Sequence, residues 1–235
     1  MTDWTFGGTW PYEPRWFDTP DGRLHYVDHG PRDGRPVVMT HGNPTWSYLY
    51  RHFIGALGRA GYRAIAPDLL GFGRSDKPAD PSLYAIPRHA ERTGALLDSL
   101  DLRDVAVVGQ DWGGPIVFDW VGRRPERVSQ LVILNTFCHR PPEEVPLPLL
   151  LKACQKPILG EILVKYLHIF VRLFLFKGGI MHRDRLTPNV RRAYLAPHPT
   201  PASRTGVLAF PREIPAGPEG PVSDFLDDIH ERLMV

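Results

Sequence analysis

Asp111 sits between Gly109-Gln110 and Trp112-Gly113-Gly114-Pro115, directly after the apolar run Val105-Ala106-Val107-Val108. That order predicts a strand turning sharply into a helix with a carboxylate at the apex. Small flanking residues are needed there because backbone passes close to backbone. A carboxylate is already ionised at neutral pH, so it displaces a leaving group from saturated carbon without a base, whereas a hydroxyl at the same apex needs one. No Gly-x-Ser-x-Gly or cysteine equivalent occurs in the chain. An Asp in front of a helix also serves as a plain cap, but the β-formers before it and the Gly-Gly-Pro behind it favour the turn.

A second group of donors stands at His41-Gly42-Asn43-Pro44, after Val37-Val38-Met39-Thr40. Buried parallel strands of one sheet end at one edge, so this loop can lie over Asp111. The backbone N–H groups of Asn43 and Trp112 would then form an oxyanion hole. The Asn43 amide and the Trp112 indole N–H add two neutral donors suited to a large, weakly hydrated anion such as a halide.

Positioning these groups takes alternating strands and helices. Arg23–His29, Pro36–Thr40, Tyr62–Ala66, Val105–Val108 and Val128–Leu134 read as strands, the last of them buried. Between them Trp46–Ala60, Pro87–Leu100 and Gly113–Gly122 read as helices; Leu49, Phe53 and Leu57 mark one stripe, and Leu96, Leu97 and Leu100 another. The alternation predicts an α/β fold, a mostly parallel sheet with helices on both faces. From Phe137 to about Pro215 no β-rich run occurs, which predicts a helical insertion. Ile158–Phe176 within it is interrupted by Glu161, Lys165, His168 and Arg172 on one stripe, so it reads as one amphipathic helix and not as a membrane span. A last helix runs from about Val222 to Leu233.

The motifs His41-Gly42-Asn43-Pro44-Thr45-Trp46-Ser47-Tyr48-Leu49-Tyr50-Arg51 and Gln110-Asp111-Trp112-Gly113-Gly114-Pro115 closely resemble those of the haloalkane dehalogenases of the α/β-hydrolase superfamily. Pro67–Asp76 is similar to the loop those enzymes carry after the next strand, and Phe210–Pro215 to their exit from the helical cap. The resemblance implies an α/β-hydrolase core with a cap inserted after the sixth strand. Residues 1–136 are core, 137–215 cap, and 216–235 an incomplete return to the core. It implies Asp111 as nucleophile, Asn43 with Trp112 as the halide-binding pair, a haloalkane and water as substrates, halide as a product, and no cofactor or metal.

The family's base histidine and orienting acid come late in the chain, and neither is expected among these 235 residues. Asn135 stands where some members carry the acid, and His230, beside Asp227, Asp228 and Glu231, reads as a solvated helix-face residue. The expectation is a C-terminally truncated chain with its last strands missing, a sheet edge left exposed and poor folding. Such a chain forms an alkyl ester at Asp111 but turns over poorly. An epoxide hydrolase is the nearest alternative; that reaction calls for His before the nucleophile and two cap tyrosines, and Gln110 and Asn43 argue against it. Tyr166 and Tyr194, in the insertion, read as packing residues. A non-catalytic remnant or binding protein is the rival from another class.

Bulk properties agree with a soluble enzyme. Hydrophobic residues make up 43% and charged residues 23%, and the net charge of +2 gives no reason to expect nucleic acid. Two cysteines suit a reducing cytoplasm, and neither a secretory signal nor a membrane partner is expected. Trp120 reads as core, and His41 as a residue that orients its loop.

Overall fold

The computed structural model describes residues 2–141, 143–144, 146–215, 217–220 and 222–234. Ala216, where the expected third unit begins, lies outside them.

Six strands form one sheet: β1 (Arg15–Thr19), β2 (Gly22–His29), β3 (Pro36–Thr40), β4 (Arg63–Pro67), β5 (Val105–Gln110) and β6 (Val128–Leu134). Their spatial order is β1-β2-β4-β3-β5-β6. β1 and β2 pair antiparallel, as do β2 and β4; the remaining three pairings are parallel. Parallel neighbours need crossovers. α1 (Arg51–Arg59) links β3 to β4, α2 (Ile86–Ser99) links β4 to β5, and α3 (Gly113–Arg123) links β5 to β6.

The period-2 geometry of the central strands divides the core in two. Val37, Met39, Ala64, Ala66 and Ala106 point to one face, where Trp46, Tyr48 and Ile54 cover them. Val38, Ile65, Val105 and Val107 point to the other, against Leu97, Phe118, Trp120 and Ile229. Ile229 belongs to α8 (Ser223–Leu233), which packs on α3 and is pinned by an Arg232–Asp119 ion pair at 2.8 Å.

Three details differ from the sequence expectations. The hairpin strand β1 was not foreseen. In α1 the buried residue is Ile54, while Phe53 is 59% exposed, because the helix proper starts at Arg51 after a separate 3₁₀ turn, Ser47–Tyr50. β6 pairs on one side only, with β5, and it is not buried: Val132, Ile133 and Leu134 are all exposed.

After β6 no further strand occurs among the described residues, which form helices and the turns between them. α4 (Leu149–Gln155) is followed by α5 (Pro157–Gly160), which runs into a π-helical turn, Glu161–Tyr166. A second π-helical segment spans Phe170–Gly179, and α6 (Pro188–Leu195) and α7 (Thr205–Arg212) follow.

Candidate active site

β5 ends at Gln110 and α3 begins at Gly113, so two residues reverse the chain direction. Asp111 absorbs the bend with φ +51°, a left-handed conformation that costs a non-glycine residue of order 1–2 kcal/mol. Hydrogen bonds hold it there. The Asp111 carbonyl accepts from Gly114 N at 3.0 Å and from Thr136 Oγ1 at 2.6 Å, and the Asp111 N–H donates to the Asn135 carbonyl at 3.2 Å. Asn135 and Thr136, which leave β6, thus clamp the backbone of the turn. No sequence signal pointed to that role.

The Asn43 loop arrives as its strand predicts. β3 and β5 pair in parallel up to Thr40↔Gly109, so both chains leave the sheet side by side. The Asn43 backbone N–H donates to Asp111 Oδ1 at 2.8 Å. Gly42 must be glycine, because an added Cβ would fall inside the Asp111 carboxyl group, 2.6 Å from its carbon. His41 fixes this loop from behind. Its Nδ1–H donates to the Gly42 carbonyl at 2.9 Å and its Nε2 accepts from Leu69 N at 3.0 Å, so the bonds themselves define a neutral tautomer. Burial pushes its pKa down and keeps it neutral.

Leu69 is held in turn by its neighbour Asp68, which is fully buried. Asp68 accepts from Ser47 N and Arg74 N, each at 2.8 Å, and meets His25 Nδ1 at 2.8 Å. Burial works against its charge, but these partners outweigh it and hold the carboxyl low, at about 2.

Asp111 is the opposite case. It is half-buried, and burial pushes its pKa up to about 6 despite the N–H groups of Trp112 and Asn43 that favour the anion. A carboxylate so poorly solvated is a better nucleophile than one in water.

The side chains of Asn43 and Trp112 complete the group. Trp112 is 3% exposed, with its ring edge-on to Phe137 at 5.3 Å and Phe210 at 6.2 Å. It belongs to an apolar cluster with Leu69, Phe72, Ile116, Val164 and Val207. Asn43 Nδ2 donates to the Val207 carbonyl of α7 at 3.2 Å, which orients the amide and leaves its second N–H free. The structure therefore brings Asp111, Asn43 and Trp112 together beneath apolar residues.

It does not bring the two tyrosines there. Tyr166 is 67% exposed, and Tyr194 is buried against Tyr48, 5.4 Å away, in the cluster around Trp46. His230 is exposed on α8. A cleft of about 870 Å³ lined by Glu143, Glu144, Lys152 and Glu219 contains none of the three candidate residues. Among the described residues no group of three or more His, Cys, Asp or Glu is placed to hold a metal.

A six-stranded sheet of this order, with a strained acid between β5 and α3, defines an α/β-hydrolase. The family described as alpha/beta hydrolase fold matches residues 35–154, and the chain belongs to it as a haloalkane dehalogenase-like member. It is 36% identical over 204 residues to a haloalkane dehalogenase of Mycobacterium marinum, covering 87% of this chain and 65% of that protein. It is 37% identical over 225 residues to a cis-3-alkyl-4-alkyloxetan-2-one decarboxylase of Shewanella oneidensis, covering 95% and 69%. The solved haloalkane dehalogenase DatA of Agrobacterium tumefaciens superposes with a TM-score of 0.82 at 33% identity, over 95% of this chain and 75% of that one. The chain spans about two thirds of the length of the curated relatives it matches.

Proposed function

We propose that the site carries out the dehalogenation of haloalkanes through an alkyl ester on Asp111. An Asp111 oxygen attacks the halogen-bearing carbon in line. A carbon–oxygen bond forms as the carbon–halogen bond breaks, and the electron pair leaves with the halide. The Trp112 indole N–H and the free N–H of the Asn43 amide receive that halide. In the second half-reaction water adds to the ester carbonyl, and the backbone N–H groups of Asn43 and Trp112 take the charge on its oxygen. The water's proton needs a base. His41 does not supply it, since both its ring nitrogens are committed.

On this reading residues 1–136 are the core that holds the nucleophile. Residues 137–215 are a cap that supplies the apolar roof, and 216–235 return to the core. The free cysteines Cys138 and Cys154 fit a reducing cytoplasm.

The observation that carries the proposal is Asp111 at φ +51°, with the Asn43 N–H on its carboxylate and Trp112 beside it under apolar side chains. The test is the intact mass after incubation with 1-bromohexane, with Asp111→Ala as control. A gain of one hexyl group on the parent chain only, or bromide release that the variant lacks, supports the reading.

The similarity to the oxetanone decarboxylase over 95% of the chain favours one other substrate, a β-lactone with two cis alkyl groups. Carbon dioxide release from such a lactone, with no mass gain and no bromide from the haloalkane, would replace the first reading.

A further inference from the structure

Val207 and Pro211 lie four residues apart in α7. In a regular helix the carbonyl of the first accepts the N–H of the second, but proline has no N–H, and its ring pushes that carbonyl off the helix axis. The Val207 carbonyl instead receives Asn43 Nδ2 at 3.2 Å. α6 repeats the pattern. Ala193 stands four residues before Pro197, and the N–H of Ala196 goes to the Arg192 carbonyl at 2.8 Å. The Ala193 carbonyl takes the indole N–H of Trp46 at 3.0 Å. Two prolines thus direct two helix carbonyls at one short loop, the loop that lies over Asp111.

The loop is a single piece. The Gly42 carbonyl accepts from Thr45 N and from Thr45 Oγ1, each at 3.0 Å, which ties the Asn43 end to the fully buried Trp46. Asn43 Oδ1 is buried without a partner, so the bond to Val207 is the one that holds the side-chain amide among the described residues. An amide turned over would set Oδ1 against the Val207 oxygen, acceptor against acceptor. The carbonyl therefore selects the orientation that leaves the second N–H free for an anion. α7 is itself fixed on two sides. Gln155 Nε2, from α4, donates to the Pro211 carbonyl at 3.0 Å. Gly206 sits so close to Tyr84 and Gly71 that an added Cβ would lie 3.1 and 3.4 Å from their atoms.

We propose that Pro211 and Pro197 are positioning residues for the halide site. Each deprives one carbonyl of its helical donor, and the two carbonyls then hold the Asn43 amide and the Trp46 indole in the orientation that receives the leaving group. The proposal rests on the reading of Asp111 and Asn43 as a dehalogenating pair.

The test is a pair of double-mutant cycles on the 235-residue chain, with single-turnover hexyl transfer from 1-bromohexane followed by intact mass. One cycle combines Pro211→Ala with Asn43→Ala, the other Pro197→Ala with Trp46→Phe. Asn43→Ala keeps its backbone N–H for Asp111, so its slower alkylation is followed over a longer incubation. Alanine restores the N–H and lets the carbonyl turn back to its own helix. Each proline substitution alone is expected to slow alkylation about three- to tenfold, the worth of one neutral hydrogen bond, and to have no further effect once its partner side chain is gone. Pro211→Ala should melt no lower than the parent, since alanine favours a helix interior where proline opposes it. No slowing by either proline substitution, or an equal loss in both backgrounds of either cycle, would overturn the proposal while the dehalogenation reading stands. An equal loss would mean that the ring acts by its own contacts or through the fold at large. If the parent chain neither gains a hexyl group nor releases bromide, that reading fails and the positioning role fails with it.

Discussion

The raised pKa of Asp111 makes a prediction that separates a buried nucleophile from an ordinary surface carboxylate. Ionised Asp111 is the attacking form, so the rate of ester formation follows its ionised fraction. With a pKa of about 6, roughly a tenth is ionised at pH 5 and nearly all at pH 8. Hexyl transfer from excess 1-bromohexane, followed by intact mass, should therefore be about tenfold slower at pH 5. A carboxylate at the ordinary value of 3.8 is more than about nine-tenths ionised at both pH values, and the two rates would agree within about 10%. Folding stability moves in the opposite sense. The unfolded chain loses this proton near 3.8 and the folded chain near 6. Between those values the folded state holds more protons, so stability falls as pH rises and levels off above about 6. The loss is at most about 3 kcal/mol, because the remaining exposure of Asp111 lets water screen part of it. Asp111→Asn carries no charge and should be more stable than the parent at pH 8, with the difference gone by pH 4. Urea midpoints at the two pH values measure it. Equal alkylation rates at pH 5 and 8, together with no pH-dependent gain from Asp111→Asn, would refute the claim that burial governs this carboxyl.

Three further outcomes follow from the geometry around it. Gly42→Ala places a methyl group inside the Asp111 carboxyl, so alkylation should fall below detection by mass while the far-ultraviolet circular dichroism stays that of the parent. Trp112→Phe keeps the ring and its contacts with Phe137 and Phe210 but loses the indole donor; single-turnover alkylation should slow by roughly a hundredfold, with little change in melting temperature. Asp68→Ala strips the acceptor from Ser47 N, Arg74 N and His25 in a fully buried place, and denaturant titration should show a loss of about 3–5 kcal/mol. In the parent, the low pKa of Asp68 contributes about 2 kcal/mol, present above pH 4 and lost as pH falls toward 2.

Much of this arrangement could be read from the sequence, because the features concerned are local. Val105–Val108 before Asp111 and Gly113-Gly114 after it are the parts of one turn, and their spacing is itself the geometry. Val37–Thr40 announces a strand buried on both faces, and parallel pairing then brings Asn43 to Asp111 without any contact being known beforehand. What escaped was long-range or depended on context. The hydrogen bond from Thr136 Oγ1 to the Asp111 carbonyl joins residues that only the β5–β6 pairing brings together, and Asn135 serves through its carbonyl, to which side-chain type gives no clue. The chain from Asp68 through Leu69 and His41 to Gly42 is similar: each residue type was visible, but the order of the bonds was not.

The two misread apolar stretches fail for a common physical reason. Hydrophobicity in a sequence says that a side chain gains from leaving water, not which surface will take it. Val128–Leu134 ends in the apolar run Leu131–Leu134 and so reads as an interior strand, yet β6 has a neighbour on one side only and Ile133 is 57% exposed. Ile158–Phe176 has a polar stripe at helical spacing, and one residue, His168, moves to a left-handed conformation and interrupts the register. A stripe that crosses this break cannot specify one face along the whole stretch. Upstream of the break the packing of α7 sets the facing: Gly160 and Val164 lie inward, and Ile158, Ile162 and Tyr166 outward. An amphipathic pattern fixes the orientation of a helix only while the helix stays continuous. The backbone reversal at His168 ends that continuity, so a stripe drawn across it does not describe the residues on either side.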